Sequence, residues 1–183
     1  HDFEFPKQAK YIVPGFIDQH IHGAANCDVM DNSKKAITTI AQQLLVEGTT
    51  SFFPTTMTYD LAVLQSVITT ISKVKNNNQQ ANILGVHLEG PFLSRKYIGA
   101  QNPEYIVKPK IEVFEQLNQE QIIKIVTLAP ELDDDYQLID YLVKNNISPS
   151  VGHSDATFRE VNQAIERGLN SFTHFHNGSS PHH

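Results

Sequence analysis

The stretch Gly85-Val86-His87-Leu88-Glu89-Gly90-Pro91-Phe92 decides how this chain is read. Ile83 to Leu88 is a short apolar run with β-branched residues, which predicts a buried strand. Gly90-Pro91 ends it abruptly. His87 and Glu89 therefore stand at the strand's last positions, and alternation turns both to one face. A carboxylate at the mouth of a buried strand is costly unless hydrogen bonds or a metal compensate it. On this stretch alone two readings stay open: a strand end capped by loop amides, or a metal ligand.

Working outward, the same pattern recurs. Residues 1–10 are polar and carry Pro6, and they read as a linker or the remnant of a small β domain. A turn at Pro14-Gly15 leads into a strand, Phe16 to Ile21, stopped at Gly23, with His20 and His22 on one face. Asp31-Asn32-Ser33 supplies capping residues for a helix whose Ala36, Ile37, Ile40, Ala41, Leu44 and Leu45 recur at helical spacing up to Gly48. Thr49 to Thr56 is the next strand. Asp60 caps a helix with Leu61, Leu64, Val67, Ile68, Ile71 and Val74 on one stripe.

Past Glu89, residues 93–110 lack periodicity, and a loop of that length tends to be functional. Residues 111–123 read as helical, and Ile125 to Leu128 as a strand. Asp133-Asp134-Asp135 opens a helix that runs to Asn145-Asn146, its acids near the positive end of the dipole. Ile147 to Val151 is a strand leading to Gly152-His153-Ser154-Asp155. Ala156 to Arg167 is a helix, capped by Asp155, with Phe158, Val161 and Ile165 inward. Ser171 to His174 is the last strand.

This strand–helix rhythm predicts parallel strands with crossover helices. Two architectures compete. In an open doubly wound sheet, chemistry gathers at one switch point. In a (β/α)8 TIM-type barrel, it is spread over the C-terminal ends of several strands. Here it is spread, over His20 and His22, Glu89, His153 and His174, which favours the barrel. About six of the eight strands such a barrel needs are expected, so residues 11–183 read as a partial (β/α)8 catalytic barrel.

Composition bounds the rest. A chain of 183 residues, 40% hydrophobic, can bury a sizeable core as one domain or part of one. The net charge is −6 with Lys and Arg scattered, which argues against nucleic acid or an anionic membrane as partner. Cys27 is the only cysteine, so no intrachain disulfide forms, and a reducing, cytoplasmic setting is expected. No apolar run approaches ~18 residues, so no transmembrane helix is expected, nor is a signal peptide at the start. The chain opens at His1 and closes at His182-His183 in an expected loop, which reads as a piece of a longer protein.

The histidines at 20, 22, 87, 153 and 174 all fall at strand ends. A lone buried histidine is ordinarily a hydrogen-bonded core residue. This recurrence, together with Glu89, points to a metal site. Imidazole and carboxylate suit zinc, iron, manganese or nickel, as one ion or two, and no thiolate is needed. A divalent ion there would bring the pKa of bound water to about 7 and polarise a carbonyl, which is hydrolytic chemistry. A proton shuttle is also required. Asp18 and Asp155 fit that role poorly, so the shuttle is expected beyond His183.

These residues resemble N-acetylglucosamine-6-phosphate deacetylase of the amidohydrolase superfamily, from about Val13 to Pro181. The likeness rests on Pro14-Gly15-Phe16-Ile17-Asp18-Gln19-His20-Ile21-His22-Gly23, Gly48-Thr49-Thr50 with Pro54-Thr55, His87-Leu88-Glu89-Gly90-Pro91-Phe92, Leu128-Ala129-Pro130-Glu131, Gly152-His153-Ser154-Asp155-Ala156-Thr157, and Thr173-His174 with Asn177. The resemblance implies Glu89, His153 and His174 as ligands of the main metal, with His20 and His22 completing a second site in two-metal members. It implies Gln101, Asn177 and Gly178 as substrate contacts. It also implies a small β-sandwich mostly absent from this chain, a general-base Asp and a phosphate-binding Arg beyond His183, and a homodimer. The reaction implied is release of acetate from N-acetylglucosamine 6-phosphate, an amino sugar phosphate. Two departures stand out. Gly99-Ala100-Gln101 carries an amide where members often have His, and Phe175-His176-Asn177-Gly178-Ser179 replaces the usual Leu-Phe-Asn-Ala-Met. Two alternatives remain: a catalytically inactive fragment that binds metal and sugar phosphate, or another amidohydrolase acting on a cyclic amide or dipeptide. Members of the latter kind commonly use a carbamylated Lys, and no Lys here ends a strand.

Overall fold

The structure is a computed structural model that describes residues 10–180. The linker expected over 1–10 lies outside the described residues except for Lys10, and so do residues 181–183. The chain alternates strand and helix. β1 (Phe16–Ile21) leads to a small hairpin of β2 (Gly23–Ala24) on β3 (Cys27–Asp28), which the sequence pattern does not announce. Then come α1 (Lys34–Val46), β4 (Thr49–Pro54), α2 (Leu61–Ser72), β5 (Asn82–Ile83) and β6 (Val86–Glu89). They are followed by α3 (Ile111–Leu117), β7 (Ile123–Leu128), α4 (Gln137–Lys144), β8 (Ser148–Val151), α5 (Phe158–Glu166) and β9 (Ser171–Phe172).

Apart from the hairpin, the paired strands are parallel, in the orders β1-β4-β5 and β6-β7-β8-β9. A parallel bridge from Thr55 to His87 joins the two groups, and the Thr56 amide donates to the His87 carbonyl at 3.0 Å. The strand expected over Ile83–Leu88 is thus divided. Asn82-Ile83 pairs with β4, and Val86–Glu89 pairs with β7. The order follows the sequence without reversal, so the described strands contain no switch point of the doubly wound kind.

The predicted stripes make the core. Ile37, Ile40 and Leu44 of α1, Leu64, Val67, Ile68 and Ile71 of α2, and Leu138, Ile139 and Leu142 of α4 bury against Phe52, Val86, Leu88, Val126 and Leu128. All four residues of β6 are buried, as a strand covered on both faces requires. Asp60 caps α2 as expected, accepting from the Ala62 and Val63 amides. Asp133 accepts from the Leu138 and Ile139 amides, although α4 itself begins only at Gln137.

Four expectations are corrected. The helix read over 111–123 ends at Leu117, because Asn118 turns the chain and its side chain accepts from the Ile123 amide, where β7 already begins. Ser33 holds the N-cap position of α1, but its side chain makes no cap bond. Asp155 does not cap α5. Thr157 does, in a capping box with Glu160, while Asp155 pairs with Lys96 at 2.8 Å. Phe158 and Ile165 face outward, and Ala164 is the residue of α5 that is fully buried. No described helix is long and apolar enough to cross a membrane.

Candidate metal centre

The strand ends bring their polar residues to one place. His20 lies in β1, and His22 lies just past it. Glu89 is the last residue of β6, and His153 and His174 each stand two residues beyond β8 and β9. Parallel pairing puts all these ends on one side, so residues distant in sequence converge. Glu89 is 1% exposed. Its Oε1 lies 2.9 Å from His174 Nε2 and 3.2 Å from His153 Nε2. Its Oε2 lies 3.1 Å from His22 Nε2, and His20 Nε2 is 3.8 Å from Oε1.

The rings are oriented from behind. Nδ1 of His22 meets the Thr55 carbonyl at 3.1 Å, Nδ1 of His153 that of Tyr97 at 2.8 Å, and Nδ1 of His174 that of Asn177 at 3.0 Å. A carbonyl only accepts, so Nδ1 carries the proton and Nε2 is bare in the neutral ring. Three such lone pairs face one carboxylate, and two face each other, with His153 Nε2 and His174 Nε2 3.1 Å apart. Acceptors facing acceptors repel unless protons or a cation lie between them. The arrangement of a metal ligand held by a carbonyl on its other nitrogen is met three times.

The charges respond accordingly. Burial alone would push Glu89 up, but hydrogen bonds from His153, His174 and His22 outweigh it and hold the carboxyl far below the usual range. The hydrogen bond with Glu89 raises His174. Burial pulls His22 down, yet bonding to Glu89 and its charge raise it overall. His20 moves the other way, lowered to about 4, with burial the largest cause. Its Nδ1 is buried and has no hydrogen-bond partner among the described residues. His20, Glu89 and His174 offer ligand atoms within 4.8 Å of one another, a triad able to hold a metal ion. Imidazole nitrogens with one carboxylate suit a divalent transition ion.

The neighbouring loops lock this geometry. His153 and His174 have left-handed backbones, with φ of 49° and 35°. Such conformations in non-glycine residues persist only where the surroundings hold them. For His153 the holders are visible. Its carbonyl accepts from the Ser94 amide at 2.8 Å, and the Ser154 amide donates to Gly178 at 3.0 Å. Glu131 accepts from the Ser154 hydroxyl at 2.7 Å and the Asp155 amide at 2.6 Å. A Cβ on Gly178 would come within 3.1 Å of His153 Nδ1.

Gln101 is 5% exposed, and its amide nitrogen donates to Glu89 Oε2 at 2.7 Å while its oxygen accepts from the Thr58 amide at 2.6 Å. Asn177 is exposed at the rim beside His174. His87, grouped with the other strand-end histidines by sequence, does not face Glu89. Its ring meets the Gln19 carbonyl at 2.7 Å and the Thr127 hydroxyl at 2.6 Å. Asp18 accepts from the His20 amide at 2.9 Å. Sequence reasoning missed the supporting roles of Thr55, Tyr97 and Thr58. Those contacts run through the backbone, which leaves no mark on residue type.

The model of the amidohydrolase family matches residues 11–181. N-acetylglucosamine-6-phosphate deacetylase of Lysinibacillus sphaericus is 39% identical over 181 residues, covering 95% of this chain and 46% of the relative. N-acetylgalactosamine-6-phosphate deacetylase of Escherichia coli O157:H7 is 31% identical, covering 94% of this chain and 46% of that one. A mutant N-acetyl-D-glucosamine-6-phosphate deacetylase from Mycobacterium smegmatis, solved in complex with N-acetyl-D-glucosamine-6-phosphate, superposes with a TM-score of 0.84 at 29% identity. That match covers 92% of this chain and 44% of the solved one. The chain thus spans under half the length of the relatives it matches. Since the family match runs through every strand end that feeds the Glu89 cluster, the chain belongs to the amidohydrolase family.

Proposed function

We propose that this chain carries the metal-binding part of a deacetylase that removes acetate from N-acetylglucosamine 6-phosphate. One observation carries the reading: the Nε2 atoms of His22, His153 and His174, bare in the neutral rings, converge on the buried Glu89. Glu89, His153 and His174 would hold the main ion, with His20 and His22 able to hold a second, zinc, iron or manganese being the matching chemistries. When bound, such an ion supplies Lewis acidity toward an amide carbonyl and toward water. The chain's own residues hold the donors: Gln101 fixes one oxygen of Glu89, and three backbone carbonyls fix the rings.

Gln101, Asn177 and Gly178 are our candidates for substrate contact, Asn177 and Gly178 because they border His174 and His153. The higher identity to the glucosamine-type relative favours the gluco sugar over its galacto epimer. We read residues 11–183 as part of a (β/α)8 barrel. In support, the outer edges of β1 and β9 are unpaired among the described residues. Phe16 and Ile17 at one edge and Phe158, Phe172 and Phe175 at the other are exposed, which suits cover by further strands and helices. We place the general base and the phosphate-binding Arg in the length of the relatives that this chain does not span. The full enzyme would be a cytoplasmic homodimer acting on a small molecule.

A second reading is metal and sugar-phosphate binding without turnover. It is favoured by the engagement of Asp18 with the His20 amide, which leaves that carboxylate a poor proton shuttle. The test is to incubate the purified protein with N-acetylglucosamine 6-phosphate and Zn²⁺ or Mn²⁺ and to measure acetate. Release that E89Q abolishes supports the deacetylase. Metal binding without release supports the second reading, and neither metal binding nor release sinks both.

A further inference from the structure

Beneath the ligands lies a second polar layer that a purely hydrophobic barrel interior would not contain. His87 is 3% exposed, Thr127 0%, Ser150 2% and Thr173 7%. Ser150 Oγ lies 2.7 Å from Thr173 Oγ1, Thr173 Oγ1 lies 2.7 Å from Thr127 Oγ1, and Thr127 Oγ1 lies 2.6 Å from His87 Nε2. His87 Nδ1 ends the chain on the Gln19 carbonyl at 2.7 Å.

The proton order follows from donor chemistry. The Gln19 carbonyl accepts, so His87 Nδ1 carries the hydrogen and the Nε2 of the neutral ring accepts from Thr127. Thr127 then accepts from Thr173, and Thr173 from Ser150. In that order every hydroxyl hydrogen has an acceptor. The opposite order needs a charged ring and leaves the Ser150 hydrogen pointing out of the chain.

Four of the five members lie in or directly beside a strand that presents a ligand, and Thr127 of β7 lies between two of those strands. Gln19 precedes His20, His87 lies two residues before Glu89, Thr173 precedes His174, and Ser150 lies three before His153. Thr127 is the register partner of both Glu89 and Ser150. The layer leaves no spare room, since a Cβ on Gly152 would lie 2.7 Å from Thr127 Cγ2 and 2.9 Å from Thr173 Cβ. A fully satisfied buried network rigidifies its surroundings, whereas a broken one leaves costly unpaired groups. Valine would fill the same space without that risk.

We propose that the chain Ser150–Thr173–Thr127–His87–Gln19 is the positioning layer of the metal centre. It sets the height and rotation of the strand ends carrying His20, Glu89, His153 and His174, and His87 is a positioning residue, not a ligand. This rests on the metal-centre reading above.

The test uses Co²⁺ as probe, with binding followed by chelator competition and by visible absorption at saturation. The wild-type protein is compared with T127V, T127S, S150A and E89Q. T127V is expected to bind Co²⁺ about 10- to 100-fold more weakly, the range for loss of an outer-shell partner, and to show altered absorption bands. T127S is expected to restore both. Wild-type affinity and spectrum in T127V, even with a lower melting temperature, would overturn the proposal, because the layer would then serve stability alone. Should T127V fail to fold, S150A removes only the terminal donor and is expected to weaken Co²⁺ several-fold; unchanged binding in S150A also overturns the proposal. A wild-type protein that binds Co²⁺ no better than E89Q fails the metal-centre reading itself, and the positioning layer with it.

Discussion

The Nε2 atoms of His153 and His174 stand 3.1 Å apart while the Nδ1 atom of each ring is held by a backbone carbonyl. Both facing nitrogens are acceptors in the neutral rings, so a cation between them removes a repulsion that folding alone leaves in place. Zn²⁺ at about 100 times its dissociation constant is expected to stabilise the fold by about 2.7 kcal/mol. For a chain of this size that is a rise in melting temperature of about 5–10 °C. Differential scanning calorimetry with and without Zn²⁺ checks it. E89Q, which lacks the central carboxylate, is expected to show almost no rise.

The pH dependence follows from the raised histidines. In the ion-free protein His22 and His174 hold protons above their ordinary value of 6.5, chiefly through Glu89. A raised folded pKa means stability that is full below about 6.5 and is lost as pH climbs through the folded pKa. Metal needs those same nitrogens deprotonated. The contribution of His22 and His174 to the stability of the ion-free protein should therefore fall above pH 6.5, while His20, lowered to about 4, works in the opposite direction and the Zn²⁺-induced rise in melting temperature grows over the same window. Metal binding at pH 6.5 should release protons, seen as a buffer-dependent enthalpy in titration calorimetry. A binding enthalpy independent of buffer would contradict this account.

Gln101 satisfies two buried groups at once, Glu89 Oε2 and the Thr58 amide. Q101L keeps the bulk and strips both bonds. Leaving the buried Thr58 amide unpaired costs about 1–3 kcal/mol, while Glu89 Oε2 keeps His22. Chemical denaturation of Q101L should show a loss of about 1–3 kcal/mol, together with weaker metal binding. A loss below about 0.5 kcal/mol would mean that Gln101 turns away from Glu89 in solution.

Glu131 holds the loop that carries His153, by accepting from Ser154 and Asp155. E131Q turns one of those acceptors into a donor facing a donor. The expected outcome is weaker metal binding with little change in secondary structure, read by chelator competition and circular dichroism. E131D, shorter but still an acceptor, should be intermediate. Equal affinity in all three proteins would remove Glu131 from the support of the site.

The strands and helices were legible where local rules act alone. Period-two runs ending in glycine or proline located the strands, and the three-to-four spacing of Ile37, Ile40 and Leu44 located α1 and its buried face. The same reasoning failed for α5. Phe158 and Ile165 look inward by spacing, yet Phe158 is 84% exposed and Ala164 takes the core position. A helix with apolar residues on two faces cannot announce which face meets the sheet, since that depends on neighbours such as Tyr136, whose hydroxyl donates to the Glu160 carbonyl.

By itself the sequence determined that His20, His22, Glu89, His153 and His174 stand at strand ends, because alternation and chain-breaking residues act within a few positions. Only the tertiary structure decided which of these residues face one another. It gave the hydrogen bonds of His87 to Thr127 and Gln19 instead of to Glu89, although its spacing from Glu89 matches that of His20 from His22, and packed its ring edge-on against His20 at 4.9 Å. It also turned Gln101 onto Glu89 across the long loop. The reason is physical. A side chain's partners are set by strand register and loop closure among segments tens of residues apart, and residue type records neither.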